Sequence, residues 1–150
     1  MKQILLLVML AACAGANADE TFIRIKFVDS SGSAWATDKV NARLAAHLPP
    51  GRSAYTLVIA ASSCSSEQYK AQNKELDALD HAIEEMGLLV VIGCPDYRDG
   101  YALNTPERDY VLSGHKQFRV LLLRGDGLLL KESLVPFSAP QIAEALNRAP

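Results

Sequence analysis

Tyr55-Thr56-Leu57-Val58-Ile59-Ala60-Ala61-Ser62-Ser63-Cys64-Ser65-Ser66-Glu67 is the stretch that decides the fold. Tyr55 to Ala61 is a continuous apolar run. Strands buried on both faces of a parallel sheet have this pattern. Four serines then surround a cysteine, and a helical pattern begins directly after them. The layout sets the Cys64 sulfur at the carboxyl end of a strand and the amino end of a helix. Helix amides there favour a thiolate.

The reading extends outward from this point. Downstream, a long helix is predicted from about Ser66 to Met86, with Leu76, Leu79, Ile83 and Met86 on one stripe. Lys70, Lys74, Glu75, Asp77 and Glu84 lie on its other face, and Gly87 stops it. Leu88 to Ile92 is a second buried strand, which ends at Gly93-Cys94-Pro95. Thr105-Pro106-Glu107 opens a short helix, with Thr105 as its cap. Phe118 to Leu123 is a third core strand. Gly125-Asp126-Gly127 turns the chain, and Leu128 to Lys131 returns antiparallel. Ser138-Ala139-Pro140-Gln141 has capping-box spacing for a last helix carrying Ile142, Ala145 and Leu146.

Upstream, Phe22 to Val28 alternates, as in a half-buried strand at or near a sheet edge. Asp29 to Ser33 is a loop. Val40, Leu44 and Leu48 recur at helical spacing until Pro49-Pro50-Gly51, and Trp35 is expected to pack that helix onto the core. The order is β-α-β-α-β-α-β-β-α. It predicts one α/β domain over 19–150, with a mixed, mostly parallel sheet flanked by helices.

Residues 1–18 read as a secretory signal peptide. Met1-Lys2 is a basic start, Ile4 to Leu10 an apolar core, and Ala16-Asn17-Ala18 a small-x-small cleavage site before Asp19. Leu10-Ala11-Ala12-Cys13 competes as a lipoprotein box, in which Cys13 is lipidated and becomes the amino terminus. Either reading exports the chain, to the periplasm or to a lipid anchor in the cell envelope. The apolar run is too short to span a bilayer, which takes about 20 residues. The net charge is −2, and removing Lys2 moves it one unit further negative. No basic stripe is present, so nucleic acid and anionic membrane surfaces are poor partners on composition. Of three cysteines, Cys64 and Cys94 survive either cleavage as one possible pair in an oxidising compartment.

The element order, with Cys64 at the end of the first core strand, resembles the thioredoxin fold. Val58 to Cys64 falls where thioredoxins carry their strand and first active-site cysteine. Phe118 to Gly127 resembles their late strand and turn. The late segment through Lys131 and the terminal helix are similar to a family of exported bacterial thioredoxin-like proteins whose domain has no assigned function. Two departures from the thioredoxin pattern bear on activity. Glu67 stands where the resolving cysteine would be, and Arg119 where a cis-proline would lie beside the sulfur. The threonine that peroxiredoxins carry three residues before the cysteine is Ala61 here. The resemblance therefore implies a non-catalytic binding or structural protein of the bacterial envelope, with an unidentified envelope protein as its partner. The alternative is an envelope thiol oxidoreductase using Cys64, with Cys94 as resolving partner.

In this topology Cys64 and Cys94 end neighbouring strands, which run about 4.8 Å apart. That is close to the separation a disulfide spans. A structural disulfide, a redox-active pair and two free thiols all remain open. For a free Cys64, Arg119 would add positive charge nearby, His115 would be a candidate base, and Glu67 would oppose the thiolate. Asp96, Tyr97, Asp99 and Tyr101 crowd one loop, read as polar surface. The spacing matches neither a calcium loop nor a zinc site, and no cofactor is implied. Arg124-Gly125-Asp126 matches an adhesion tripeptide but is read as turn chemistry. His47 and His81 are given no role.

Overall fold

A computed structural model describes residues 20–113 and 117–148. The predicted leader, Cys13 and His115 lie outside the described residues. The strands are β1 (Lys26–Val28), β2 (Ala34–Ala36), β3 (Tyr55–Ala61), β4 (Leu88–Gly93), β5 (Tyr101–Ala102), β6 (Phe118–Arg124) and β7 (Leu129–Ser133). They form one sheet in the order β2-β1-β5-β4-β3-β6-β7. The helices are α1 (Val40–Leu44), continued by a 3-10 turn at Ala45–His47, then α2 (Glu67–Leu79), α3 (Ala82–Glu85), α4 (Thr105–Leu112) and α5 (Ala139–Arg148).

β3 lies at the heart of the sheet, and all seven of its residues are buried, with Thr56 the one polar side chain among them. Its two faces enter different cores. Tyr55, Leu57, Ile59 and Ala61 pack with Tyr69, Leu76, Phe137, Ile142 and Leu146 from the α2/α5 side. Val58 and Ala60 pack with Val40, Val111 and Leu112 from the α1/α4 side. Burying each large aliphatic side chain contributes roughly 1.5–3 kcal/mol, so these two layers supply most of the driving force.

β3 and β4 run parallel from Tyr55↔Leu88 to Ala60↔Gly93, so the two strands that lead to the cysteines are neighbours, as expected. The sheet is mixed, yet parallel pairing is confined to β3–β4 and β4–β5. β6, read as a third core strand in a mostly parallel sheet, is antiparallel to β3 along its whole length. After α4 the chain enters β6 at Phe118, which pairs with Ala61 at the end where β3 finishes, so β6 runs back along β3 to Arg124 opposite Tyr55.

Three other differences have local causes. β2 and β5 are only three and two residues long, too short to leave a periodic signal. They flank β1, which lies next to the edge strand, near the edge as expected; the strand itself covers only Lys26–Val28 of the predicted run, and Phe22 makes only an isolated bridge to Leu128. The long helix breaks at Asp80, whose φ of 43° lies outside the right-handed region, and this separates α2 from α3.

Both sheet edges are blunted. Arg43 on α1 donates to the outward Ala34 carbonyl of β2, with its guanidinium 3.8 Å from the centre of the Trp35 ring. At the other edge the Thr21 carbonyl accepts from Leu129 N at 2.7 Å. Occupied edges resist pairing with other chains. Trp35 stacks on Phe27 and meets Tyr101 edge-on, so it packs against the sheet's own edge as well as against α1.

The β1–β2 turn is organised by Asp29. Its carboxylate accepts from Ser31 Oγ at 2.6 Å, Ser31 N at 3.0 Å, Ser33 N at 2.9 Å and Trp35 Nε1 at 3.1 Å. The Ser31 hydroxyl, then Trp35 and the Ser33 amide, hold its pKa far below the usual 3.8. A carboxyl depressed by folding contributes stability above its unfolded pKa and loses it as pH falls through the folded value. Denaturant unfolding between pH 5 and pH 2 should therefore show a shallower acid loss for Asp29→Asn than for the wild type. Asp126, lowered by the Arg124 hydrogen bond, titrates in the same window in both proteins and cancels.

The helix caps follow the sequence with one shift. Ser138 Oγ accepts from Gln141 N, and Gln141 Oε1 accepts from Ser138 N, which completes the expected capping box. At α4 the cap is Asn104, not Thr105: its side chain accepts from Glu107 N at 3.1 Å, and Pro106 sits one position further in. Asn104→Ala should cost about 1 kcal/mol in denaturant unfolding, and Thr105→Ala much less.

Candidate functional site

Cys64 and Cys94 form a disulfide with a Cα–Cα distance of 5.3 Å. The parallel register explains it: β3 and β4 deliver both chains to the same end of the sheet, and each cysteine stands just beyond its strand. The two halves differ in surroundings. Cys64 is half-buried in the serine-rich loop, two residues before the Ser66 cap of α2. Cys94 is 4% exposed, within the apolar cluster of Ile92, Tyr69 and Phe118. Cys64 Sγ also lies 3.2 Å from the Pro95 carbonyl oxygen.

Glu67, the first residue of α2, occupies the place of a resolving cysteine and is exposed. Arg119 is committed elsewhere. It stands opposite Ala60, on the α1/α4 face, whereas the cystine packs with the α2/α5 face. Its guanidinium donates to Val111 O and Ser113 Oγ at 3.1 Å each and to Glu132 at 2.7 Å. The residue joins the end of α4 to β7 and is not the cation beside Cys64 that the sequence reading expected. No peptide bond among the described residues is cis.

The loop after Cys94 is less of a surface than its composition suggests. Asp96 adopts φ 67° and Tyr97 N bonds back to Cys94 O, which turns Tyr97 against the cluster that holds the cystine. Burial, with Tyr69 and Asp99 nearby, pushes the Tyr97 phenol above its ordinary pKa. Tyr101 belongs to β5. Only Asp96 and Asp99 face solvent as predicted. Among the described residues no three His, Cys, Asp or Glu side chains gather as a metal site. The adhesion-like tripeptide is closed on itself: Arg124 binds Asp126 through two bonds, and a Cβ on Gly125 would lie 2.9 Å from Ala54 O.

Sequence reasoning missed what pins the segment after β7 to α2. Gln68 donates to Leu134 O, Gln72 bonds both backbone groups of Phe137, and Glu75 accepts from Ala139 N. The order of these bonds puts Leu134 and Val135 at the Cys64 end of α2. They are 48% and 60% exposed, an apolar pair beside the cystine loop. A signal for Gln72 was available: Tyr69, Gln72 and Leu76 share the helix face that continues into the predicted stripe.

A mixed sheet between two helical layers, with a cysteine at the strand-to-helix junction of β3, defines a thioredoxin-like domain. Solved structures agree. A thiol:disulfide interchange protein from Bacteroides sp. is matched with a TM-score of 0.60 at 12% identity, covering 87% of this chain and 91% of that one. The peroxidoxin BcpB from Mycobacterium tuberculosis is matched at 0.54 and 12%, covering 85% and 94%. The pneumococcal exposed lipoprotein thioredoxin Etrx1 from Streptococcus pneumoniae is matched at 0.55 and 9%, covering 85% and 100%. At these identities the likeness carries the fold. No protein-family model and no curated protein sequence matches the chain.

Proposed function

We propose that the chain is an exported thioredoxin-like binding or structural protein of the bacterial envelope, of the kind whose domain has no assigned function. Its cystine is a staple, not a catalyst. The observation that carries this reading is the burial of Cys94. A thiolate attacking the accessible Cys64 sulfur would expel Cys94 as a thiolate into an apolar cluster, and a poorly solvated leaving group slows exchange. The commitment of Arg119 to Glu132 supports the same reading. Insulin-reduction and peroxide-reduction assays test the proposal: turnover should stay at background, and turnover abolished by Cys64→Ser would contradict it.

A second reading is an envelope thiol oxidoreductase, favoured by the half-exposed Cys64 at the start of α2. In it Cys64 is attacked, Cys94 resolves and His115 is the base, with Arg119 acting on Cys64 only if its bond to Glu132 opens. Export rests on the leader. Cleavage before Asp19 releases the domain into the periplasm, whereas acylation of Cys13 anchors it. The likeness to an exposed lipoprotein keeps the anchored form in play.

A further inference from the structure

We infer that Asp99–Gly100 is a site of spontaneous backbone modification, where the Asp99 linkage isomerises to isoaspartate, and that the fold withholds the same reaction from Asp126–Gly127.

The chain has two Asp-Gly steps, at 99–100 and 126–127. Such a step is reactive because glycine has no Cβ to crowd its amide nitrogen or to restrict its backbone. The glycine nitrogen attacks Cγ of the aspartate. A C–N bond forms, the carboxyl hydroxyl leaves with the amide proton as water, and a succinimide ring closes. Water then opens the ring at either carbonyl. Opening at the α-carbonyl leaves the main chain running through Cγ, one carbon longer, with the α-carboxylate as the new side group. One water leaves and one enters, so the reaction needs no oxidant, reductant or other co-reactant.

The structure separates the two steps. At Asp126 both reacting groups are held. Arg124 grips the carboxylate at 2.9 and 2.6 Å, and Gly127 N donates to Arg124 O at 2.8 Å. Gly127 O also accepts from Ile23 N at 2.8 Å. The glycine nitrogen cannot swing onto Cγ without breaking a charge-assisted fork and a backbone bond. Asp29, which precedes the small Ser30, is likewise fixed by its hydrogen bonds to Ser31, Ser33 and Trp35. Asp99 lacks such a hold. It is exposed, in the irregular segment between Cys94 and β5. Among the described residues its carboxylate has no hydrogen-bond or ion-pair partner, and neither does Gly100 N.

The added carbon falls just before β5. Ala102 of that strand pairs with Val28 on one side and Ile92 on the other. β5 is the strand through which β1 and β2 join the rest of the sheet, so isomerisation loosens that junction.

The test ages the oxidised full chain in heavy-oxygen water at neutral pH, because ring opening leaves one heavy oxygen in the residue. Peptide masses should show label at Asp99 several-fold above that at Asp126. In protein unfolded with urea the two should label alike. An isoaspartyl-specific methyltransferase should modify the Asp99 peptide, and Asp99→Glu, whose longer side chain closes a ring far more slowly, should remove both signals there. Equal or reversed labelling of the two steps in folded protein would overturn the inference, as would label at Asp99 without isoaspartate. Faster amide exchange at Ala102 in the aged protein is expected, and unchanged exchange would overturn the consequence drawn for β5.

Discussion

Reduction of the Cys64–Cys94 bond, or its removal by Cys64→Ser, is expected to lower the unfolding free energy by about 3.5 kcal/mol. The disulfide closes a loop with a sequence separation of 30. In the chain-entropy model a loop of this length restricts the unfolded ensemble by that amount at 25 °C. Cys64 is the better position to replace, because it is half-buried and serine fits there. Serine at Cys94 would add an unpaired hydroxyl inside an apolar cluster and exaggerate the effect. Urea unfolding of oxidised, reduced and Cys64→Ser protein should place the last two together. Their m-values should exceed that of the oxidised form, because an uncrosslinked unfolded chain exposes more surface. Coincident midpoints for oxidised and reduced protein would mean that the bond restrains nothing.

The second large effect is expected at Gln72. Its side chain is 0% exposed, its Oε1 accepts from Phe137 N at 2.8 Å, and its Nε2 donates to Phe137 O at 3.0 Å. A helix side chain here does the work of a neighbouring strand and holds the segment that leads into α5. Gln72→Leu fills a similar volume but leaves two backbone groups without partners. Each buried unmade group costs about 1–3 kcal/mol, so the variant should lose roughly 2–4 kcal/mol as the segment partly relaxes toward water. Hydrogen exchange should locate the loss: the Phe137 amide should exchange much faster, while amides of β3 keep their protection. Gln68→Leu, which removes one bond at an exposed carbonyl, should cost far less.

These two sites mark how much the sequence could reveal. β3 and β4 were legible because strands buried on both faces are apolar at nearly every position, and a parallel pair delivers its ends to the same side. That carried the reading to the cystine. The direction of β6 was not legible, because apolar periodicity does not report which way a buried strand runs. β2 and β5 are held by neighbours, not by a pattern of their own. The break at Asp80 was hidden because Asp-His-Ala-Ile continues a helical spacing across it. At the site, Cys64, Cys94 and Glu67 could be placed from local order alone. Arg119 was misassigned because adjacency along β6 does not say which face a side chain takes, and the Ala60↔Arg119 register does. The burial of Gln72 could have been read from its place on the face of Tyr69 and Leu76, but its partner, 65 residues away, could not.

The reduction potential of the Cys64–Cys94 pair tests the central claim most directly. It can be read by equilibrating the protein in graded thiol–disulfide buffers and trapping free thiols. A structural cystine whose inner sulfur is sealed in the core should have a potential below about −300 mV, resistant to cellular thiol pools. A potential at or above about −270 mV, in the range of working disulfide exchangers, would contradict the staple and favour the oxidoreductase.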